Sequence, residues 1–253
     1  MPTAKIQSVT RAFQILHAFD AQRSFLTSAE IAERVGLNVK TVHRFLLTLE
    51  SIGAVSRSGR GRFCLGMALV DLGGQVSAHR VLSEAAQHHL EELAETYNEA
   101  TQAAVLDGAD IMSIAHIPST HSLTIGIRVG KRWPAYCTAV GKSMLADMDE
   151  NVLRKFVSNI NFERRTSYTI TSARSFIKHI HQVREQGYSL NDQESEMGMR
   201  GIAVPVKNSQ SRTIAAISIS GPATRLTLES ILALKDNLQT CATHITQELY
   251  GTL

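Results

Sequence analysis

The chain has 253 residues, 43% of them hydrophobic and 19% charged, with a formal net charge of +3. That composition is globular, leaves room for one large or two smaller domains, and excludes a disordered or fibrous chain. Three widely spaced cysteines, Cys64, Cys137 and Cys241, exclude a disulfide framework and zinc-finger spacing, and no apolar run reaches the roughly 18 residues of a membrane span.

The opening MPTAKIQSVTRAF lacks the apolar core of a secretion signal. With so few cysteines, a cytoplasmic protein is expected. Charge is spread unevenly. Residues 1–65 hold nine Lys/Arg against four Asp/Glu, and the remainder carries −2. A basic head on a mildly acidic body is the distribution of a chain whose head meets a polyanion.

The first periodic segment, Ser8 to Phe19, sets Val9, Ala12, Phe13, Leu16 and Phe19 at helical spacing. Next, Thr27 or Ser28 caps a helix with Glu30 in its first turn, near Ser28 to Val35, which buries Ile31, Ala32 and Val35. Gly36 ends it, and Asn38 caps a second helix, near Val39 to Ile52, with Val42, Phe45, Leu46 and Leu49 inward. Two short helices around a glycine turn make a helix-turn-helix. Lys40, Thr41, His43 and Arg44 crowd the leading face of the second helix. Such side chains pair with phosphates and base edges, so the partner expected is double-stranded DNA. Thr27, Ser28 and Asn38, at the helix starts, join them as candidate contacts. Val55, Phe63 and Leu65 then flank a Ser-Gly-Arg-Gly turn, which predicts a β-hairpin wing. Arg57, Arg60 and Arg62 on or beside its tip suit phosphate or minor-groove contacts.

Residues 66–97 read as helix interrupted at Gly73-Gly74, with Ala85, Ala86, Leu90, Leu93 and Ala94 on one stripe of the second part. Their composition is that of a connector rather than a floppy linker. From residue 98 to 253, strands flank Asp107-Gly108-Ala109, and Ser122 to Trp133 adds another alternating strand. Helices capped by Asp149 and Ser172 follow, then the strands RGIAVPV and RTIAAISIS, then a closing helix from about Thr227 to Tyr250. The expected class is α+β in two domains: a winged helix-turn-helix (1–65), connecting and dimerising helices (66–97), and an antiparallel sheet flanked by helices (98–253).

QSVTRAFQILHAF, TSAEIAERVGLNVKTVHRFLLTLESIGAV, RVGKRWPAYCTAVGKSMLA, VREQGYSLNDQESEMGMRGIAVPV and AAISISGPATRL together resemble the IclR family of bacterial transcriptional regulators over nearly the whole chain. The resemblance implies a GAF-like effector-binding body, heads that dimerise on a palindromic operator, and a homodimer or dimer of dimers. PAYCT and NDQESEMGMRGIAVPV look closest to members sensing aromatic acids or their ring-cleavage products. Carried onto this chain, the family's ligand pocket falls on Ala139 and Val140, on Asn191 and Gly201, and on Ser218 and Ser220. Members binding small keto acids have Asp and Cys where this chain has Asn191 and Gly201, and Gly201 is expected to leave room for a larger ligand. Ser218 and Ser220 alternate with Ile217 and Ile219, so both hydroxyls face one side of a strand. Asp192 and Glu194 are adjacent polar candidates, and Tyr136 and Cys137 candidate lining at the mouth. A sugar-acid or keto-acid sensor stays open as an alternative, as does a body that binds no ligand and only oligomerises.

One stretch raises a competing chemistry. PAYCTAVGKS ends in Gly141-Lys142-Ser143, like a phosphate-binding loop. That loop requires GxxxxGK[ST], and the first glycine's place is held by Tyr136, so nucleotide hydrolysis is excluded. No base is set beside Cys137 for catalysis, and His88-His89 and His179 with His181 lack the i, i+4 spacing of a helical metal site. No catalytic residue, metal or cofactor is expected.

Overall fold

The computed structural model describes residues 6–20, 23–59 and 61–251, which fall into two compact units, 1–77 and 78–253. In the first, α1 (Gln7–His17) precedes a two-residue strand β1 (Leu26–Thr27), the helices α2 (Ser28–Val35) and α3 (Val39–Ser51), the hairpin β2 (Val55–Ser58) and β3 (Arg62–Leu65), and α4 (Met67–Gly74). Thr27 closes a capping box: its hydroxyl accepts the Glu30 N–H, and Glu30 Oε2 accepts the Thr27 N–H at 2.7 Å. Gly36 stops α2 at φ 66°, a left-handed backbone that suits glycine. The Asn38 side chain caps α3 through the Lys40 N–H at 2.9 Å. Ile31 and Ala32 meet Val42, Leu46 and Leu49 in one core with Leu26, Val55 and Phe63. The hairpin gains a third strand, because β1 pairs with β3 and sets Thr27 opposite Arg62.

The α1 stripe departs from expectation. Val9 and Phe13 are 54% and 59% exposed, while Phe19 of the stripe joins Ile15 and Ala18 in the core, with Ala12 and Leu16 packed against it. Met67, Val70 and Leu72 of α4 are also exposed. Periodicity identifies an apolar stripe, and among the described residues of this unit its Val9 and Phe13 stay uncovered.

The second unit opens with α5 (Ala78–Tyr97), then β4 (Ala100–Asp107), β5 (Asp110–Ile117), β6 (Arg132–Pro134), a 3-10 turn at Ala135–Cys137, α6 (Ala139–Leu145), α7 (Glu150–Ser158) and α8 (Ala173–Gln186). It continues with β7 (Ser189–Asp192), β8 (Met199–Lys207), β9 (Thr213–Pro222), α9 (Leu228–Leu232) and α10 (Lys235–Tyr250). Six strands form one antiparallel sheet in the order β6-β5-β4-β9-β8-β7. Alternation divides its faces. Ala103, Val105, Ile202, Val204, Ile217 and Ile219 pack with residues of α5 and α10, including Leu90, Leu238 and Ile245. Ala104, Ala203 and Ala216 pack on the other face with Val140, Leu145, Phe176 and Ile180 of α6 and α8. These small residues let α6 lie close to the sheet.

Three expectations are corrected. The strand expected at Ser122 to Trp133 is extended only at Arg132–Pro134, since Leu123 and Val129 find no apolar wall and Gly130 turns the chain at φ 80°. The closing helix is two helices, because the Leu234 N–H tightens onto Ile231 O at 3.2 Å and interrupts the ladder. Asp149 stands at the start of α7 without a capping side-chain bond. Among the described residues no helix is long and apolar enough to cross a membrane.

Candidate functional site

In the first unit, Lys40, His43 and Arg44 are exposed along α3 and Thr41 is half-buried. Lys40 and Arg44 make no ion pair among the described residues, so both charges are available to a polyanion. His43 Nδ1 lies 3.4 Å from Ser28 Oγ, which ties the start of α2 to α3. The hydroxyl of Thr27 and the side chain of Asn38 are committed to capping. Arg57 is committed too. Its Nε and Nη2 meet the Glu50 carboxylate at 3.2 and 3.0 Å, and its guanidinium lies 5.1 Å from the Phe63 ring centroid. The wing strand β2 is thereby fastened to the last turn of α3. Arg62 is exposed beside Thr27, and Arg60 lies outside the described residues.

In the second unit, the antiparallel register builds two cross-strand rows on the α6 face. One row runs Asn191, Gly201, Ser220, Ala100, and the other Ser189, Ala203, Ser218, Gln102. Above them lies a cavity of about 30 Å³. Asn191, Ser218, Ser220 and Gln102 line it from the sheet, Thr138, Ala139 and Val140 from the start of α6, and Ile111, Ile127, Trp133, Ser195 and Met199 from the sides. Ser218 Oγ is buried there without a hydrogen-bond partner among the described residues. Asn191 is both wall and brace: its Oδ1 accepts the N–H of Glu194 at 2.9 Å and of Ser195 at 3.3 Å, and its Nδ2 donates to Ser195 Oγ at 2.7 Å.

Five expected residues are not at the wall, Glu194 among them. The Tyr136 hydroxyl donates to Glu163 O at 2.7 Å and its ring stands edge-on to Phe162, so it is core. Cys137 is buried with its thiol pushed up to about 12 by desolvation, an inert packing group. Asp192 turns to Arg200 in an ion pair of 2.7 Å. Gly201 frees no space for a ligand, because a Cβ there would lie 2.5 Å from Ser220 Oγ, whose side chain fills the gap. Gln102, Thr138, Ser195 and Trp133 are lining residues the sequence reading missed. Gln102 is legible only from the register that sets it opposite Ser218.

The end of PAYCTAVGKS has a packing explanation. A Cβ on Gly141 would lie 2.2 Å from Ala135 O and 2.5 Å from its Cα, so glycine lets α6 press on the 3-10 turn. Lys142 is fully buried and pairs with Glu194. Burial pushes the Glu194 carboxyl above its ordinary value, and the Lys142 ammonium offsets this only in part.

A winged helix-turn-helix with free cations on its second helix, in one chain with a sheet domain that encloses a polar-floored cavity, defines a DNA-binding regulator with an effector domain. Comparison with known proteins agrees. Residues 8–59 match the IclR helix-turn-helix domain, and residues 74–247 match the bacterial transcriptional regulator IclR C-terminal domain. The chain is 33% identical to the HTH-type transcriptional regulator KdgR of Escherichia coli over 96% of its own length and 93% of that protein. It is 34% identical to the Pca regulon regulatory protein of Pseudomonas putida over 88% of this chain and 77% of that one. A solved IclR homolog from Microbacterium hydrocarbonoxydans, complexed with 4-hydroxybenzoate, is 25% identical with a TM-score of 0.61, covering 96% of this chain and 98% of its own. The chain belongs to the IclR family of transcriptional regulators and is not an enzyme.

Proposed function

We propose that this regulator senses a small organic acid, an aromatic acid or its ring-cleavage product, in the cavity between α6 and the sheet, and that occupancy alters its grip on the operator of a catabolic operon. The observation that carries this reading is Ser218 Oγ, a buried hydroxyl on the cavity floor with no partner among the described residues. A native fold rarely buries such a group unsatisfied, and a polar oxygen of an organic acid is a partner it can serve. The relatives bear on the ligand class: one regulates a Pca regulon, and another was solved with 4-hydroxybenzoate.

The space inside that admits the centre of a water-sized sphere is about 30 Å³, narrow for an organic acid. On this reading an organic acid widens the space by displacing a wall. The wall with least regular structure is residues 118–131, which carries Ile127. Binding and displacement are then one event, as a ligand-driven switch requires. The exposed Val9 and Phe13 of α1 and Met67, Val70 and Leu72 of α4 support self-association of the heads, and with it a homodimer or dimer of dimers on a palindromic operator.

Thermal-shift measurement of the full chain against 4-hydroxybenzoate, protocatechuate, β-ketoadipate, D-gluconate and pyruvate tests the reading. Stabilisation by an aromatic or ring-cleavage acid is expected, together with a changed affinity for operator DNA. Stabilisation by no acid sinks the sensor reading in favour of an oligomerisation body, and selective response to gluconate or pyruvate moves the ligand class.

A further inference from the structure

One wall of the cavity is an indole with two cations against it. Trp133 lines the cavity from β6. Lys131 Nζ lies 4.3 Å from its ring centroid and Arg165 Cζ 5.6 Å. Arg165 Nε donates to Ser195 O at 3.1 Å, and Ser195 also lines the cavity. Neither cation makes an ion pair among the described residues, and the two Nη groups of Arg165 make no hydrogen bond there. The backbone beneath Arg165 is firmly held. Its N–H donates to Thr169 Oγ1 at 3.2 Å, and the hydroxyls of Thr166 and Thr169 donate to Gln193 O and Glu194 O, each at 2.7 Å. The guanidinium is thus anchored through Nε, next to the cavity, with its outer end unused.

We infer that Trp133 and Arg165 form the acid-recognising mouth of the cavity, the indole giving a flat wall for a planar ligand and the Nη groups of Arg165 receiving its carboxylate. This rests on the reading that the cavity binds an organic acid. A guanidinium end presents parallel N–H donors matched to a carboxylate, and Nε bonding to Ser195 O leaves them free. Lys131, tethered to Gly126 O at 3.1 Å, adds a second positive charge on the same ring. The floor hydroxyls of Ser218 and Ser220 then face the far end of the ligand. The pairing selects a planar acid over its neutral analogue.

Trp133 is the chain's only tryptophan, so its emission reports on this wall. The full chain is titrated with 4-hydroxybenzoate and with 4-hydroxybenzamide, following emission and heat. The acid is expected to change the emission. Arg165→Gln is expected to weaken the acid by roughly tenfold or more without changing the amide, and Arg165→Lys to recover part of the loss. Acid binding unchanged in Arg165→Gln overturns the proposal. If Ser218→Ala weakens the acid while Arg165→Gln does not, the cavity reading stands and the mouth falls. If the wild-type chain binds no acid of the thermal-shift panel, both fall.

Discussion

Lys142, on a helix that forms one wall of the cavity, makes its buried ion pair with Glu194, on the turn that forms the opposite wall. Lys142 is 0% exposed, and the second carboxylate oxygen of Glu194 has no hydrogen-bond partner among the described residues. The pair links the helix carrying Ala139 and Val140 to the turn carrying Asn191 and Ser195.

Breaking one half of this pair is expected to be costly. Lys142→Met or Glu194→Gln leaves the other group buried without its counter-charge, at about 3–5 kcal/mol. The double replacement Lys142→Met/Glu194→Leu removes both charges and is expected to recover most of that stability. Urea denaturation of the three variants checks it, and a double variant no more stable than the singles contradicts it.

The two buried glycines near the cavity are expected to respond differently to alanine. At Gly141 the new methyl meets backbone of Ala135 and the helix must shift, whereas at Gly201 it meets the movable hydroxyl of Ser220. Gly141→Ala should cost about 1–3 kcal/mol and Gly201→Ala less. Adding Ser220→Ala should rescue Gly201→Ala alone. Melting temperatures of the four variants decide it.

The stability of the second unit should fall on the acid side because of His179. Burial, with a smaller contribution from Lys142, holds its imidazole down to about 4 from the ordinary 6.5. Between those values the unfolded chain binds a proton that the folded chain refuses, so stability falls as pH drops through that window. Glu194, whose folded value is raised, acts oppositely: its contribution is present at low pH and is lost as pH rises above 4.5. His179→Gln removes only the first effect. Its melting temperature is expected to fall less than wild type between pH 6.5 and 4, and an unchanged pH profile refutes the assignment.

On the DNA side, Lys40 and Arg44 are expected to matter more than Arg57, which Glu50 already holds. The double alanine at Lys40 and Arg44 should weaken operator binding strongly. It should also flatten the log affinity against log salt slope by up to about 2 if both contact phosphates. Arg57→Ala should change the slope less and lower the melting temperature of the head. Anisotropy titrations at several salt concentrations separate the cases, and normal operator binding by the double variant removes α3 as the reading helix.

Local chemistry was the legible part. The capping box at Thr27, the turn at Gly36 and the cap at Asn38 all lie within a few residues of what they cap, and α2 and α3 stand where the sequence sets them. The antiparallel body was legible from turns and alternation, except along Ser122 to Trp133, where only Arg132 and Trp133 find a neighbouring strand, in β5. What escaped depends on long-range register. Lys142 and Glu194 are 52 positions apart, and neither alone signals a buried partner. Trp133 and Arg165 are remote in sequence and meet only because β6 edges the sheet and the turn at Thr166 is fastened to Gln193 and Glu194. Gly201 was read as spare room, and only the strand pairing reveals the Ser220 side chain occupying it.

A narrow chamber, about 30 Å³, also has a kinetic signature. If its wall must swing out before a ligand enters, the observed association rate does not climb indefinitely with concentration but levels off at the rate of opening. Apparent affinity is then the intrinsic affinity scaled by the fraction of time the chamber is open. Substitutions along residues 118–131 that touch no ligand could thereby tune the concentration at which the regulator responds, and set how quickly transcription follows a change in metabolite.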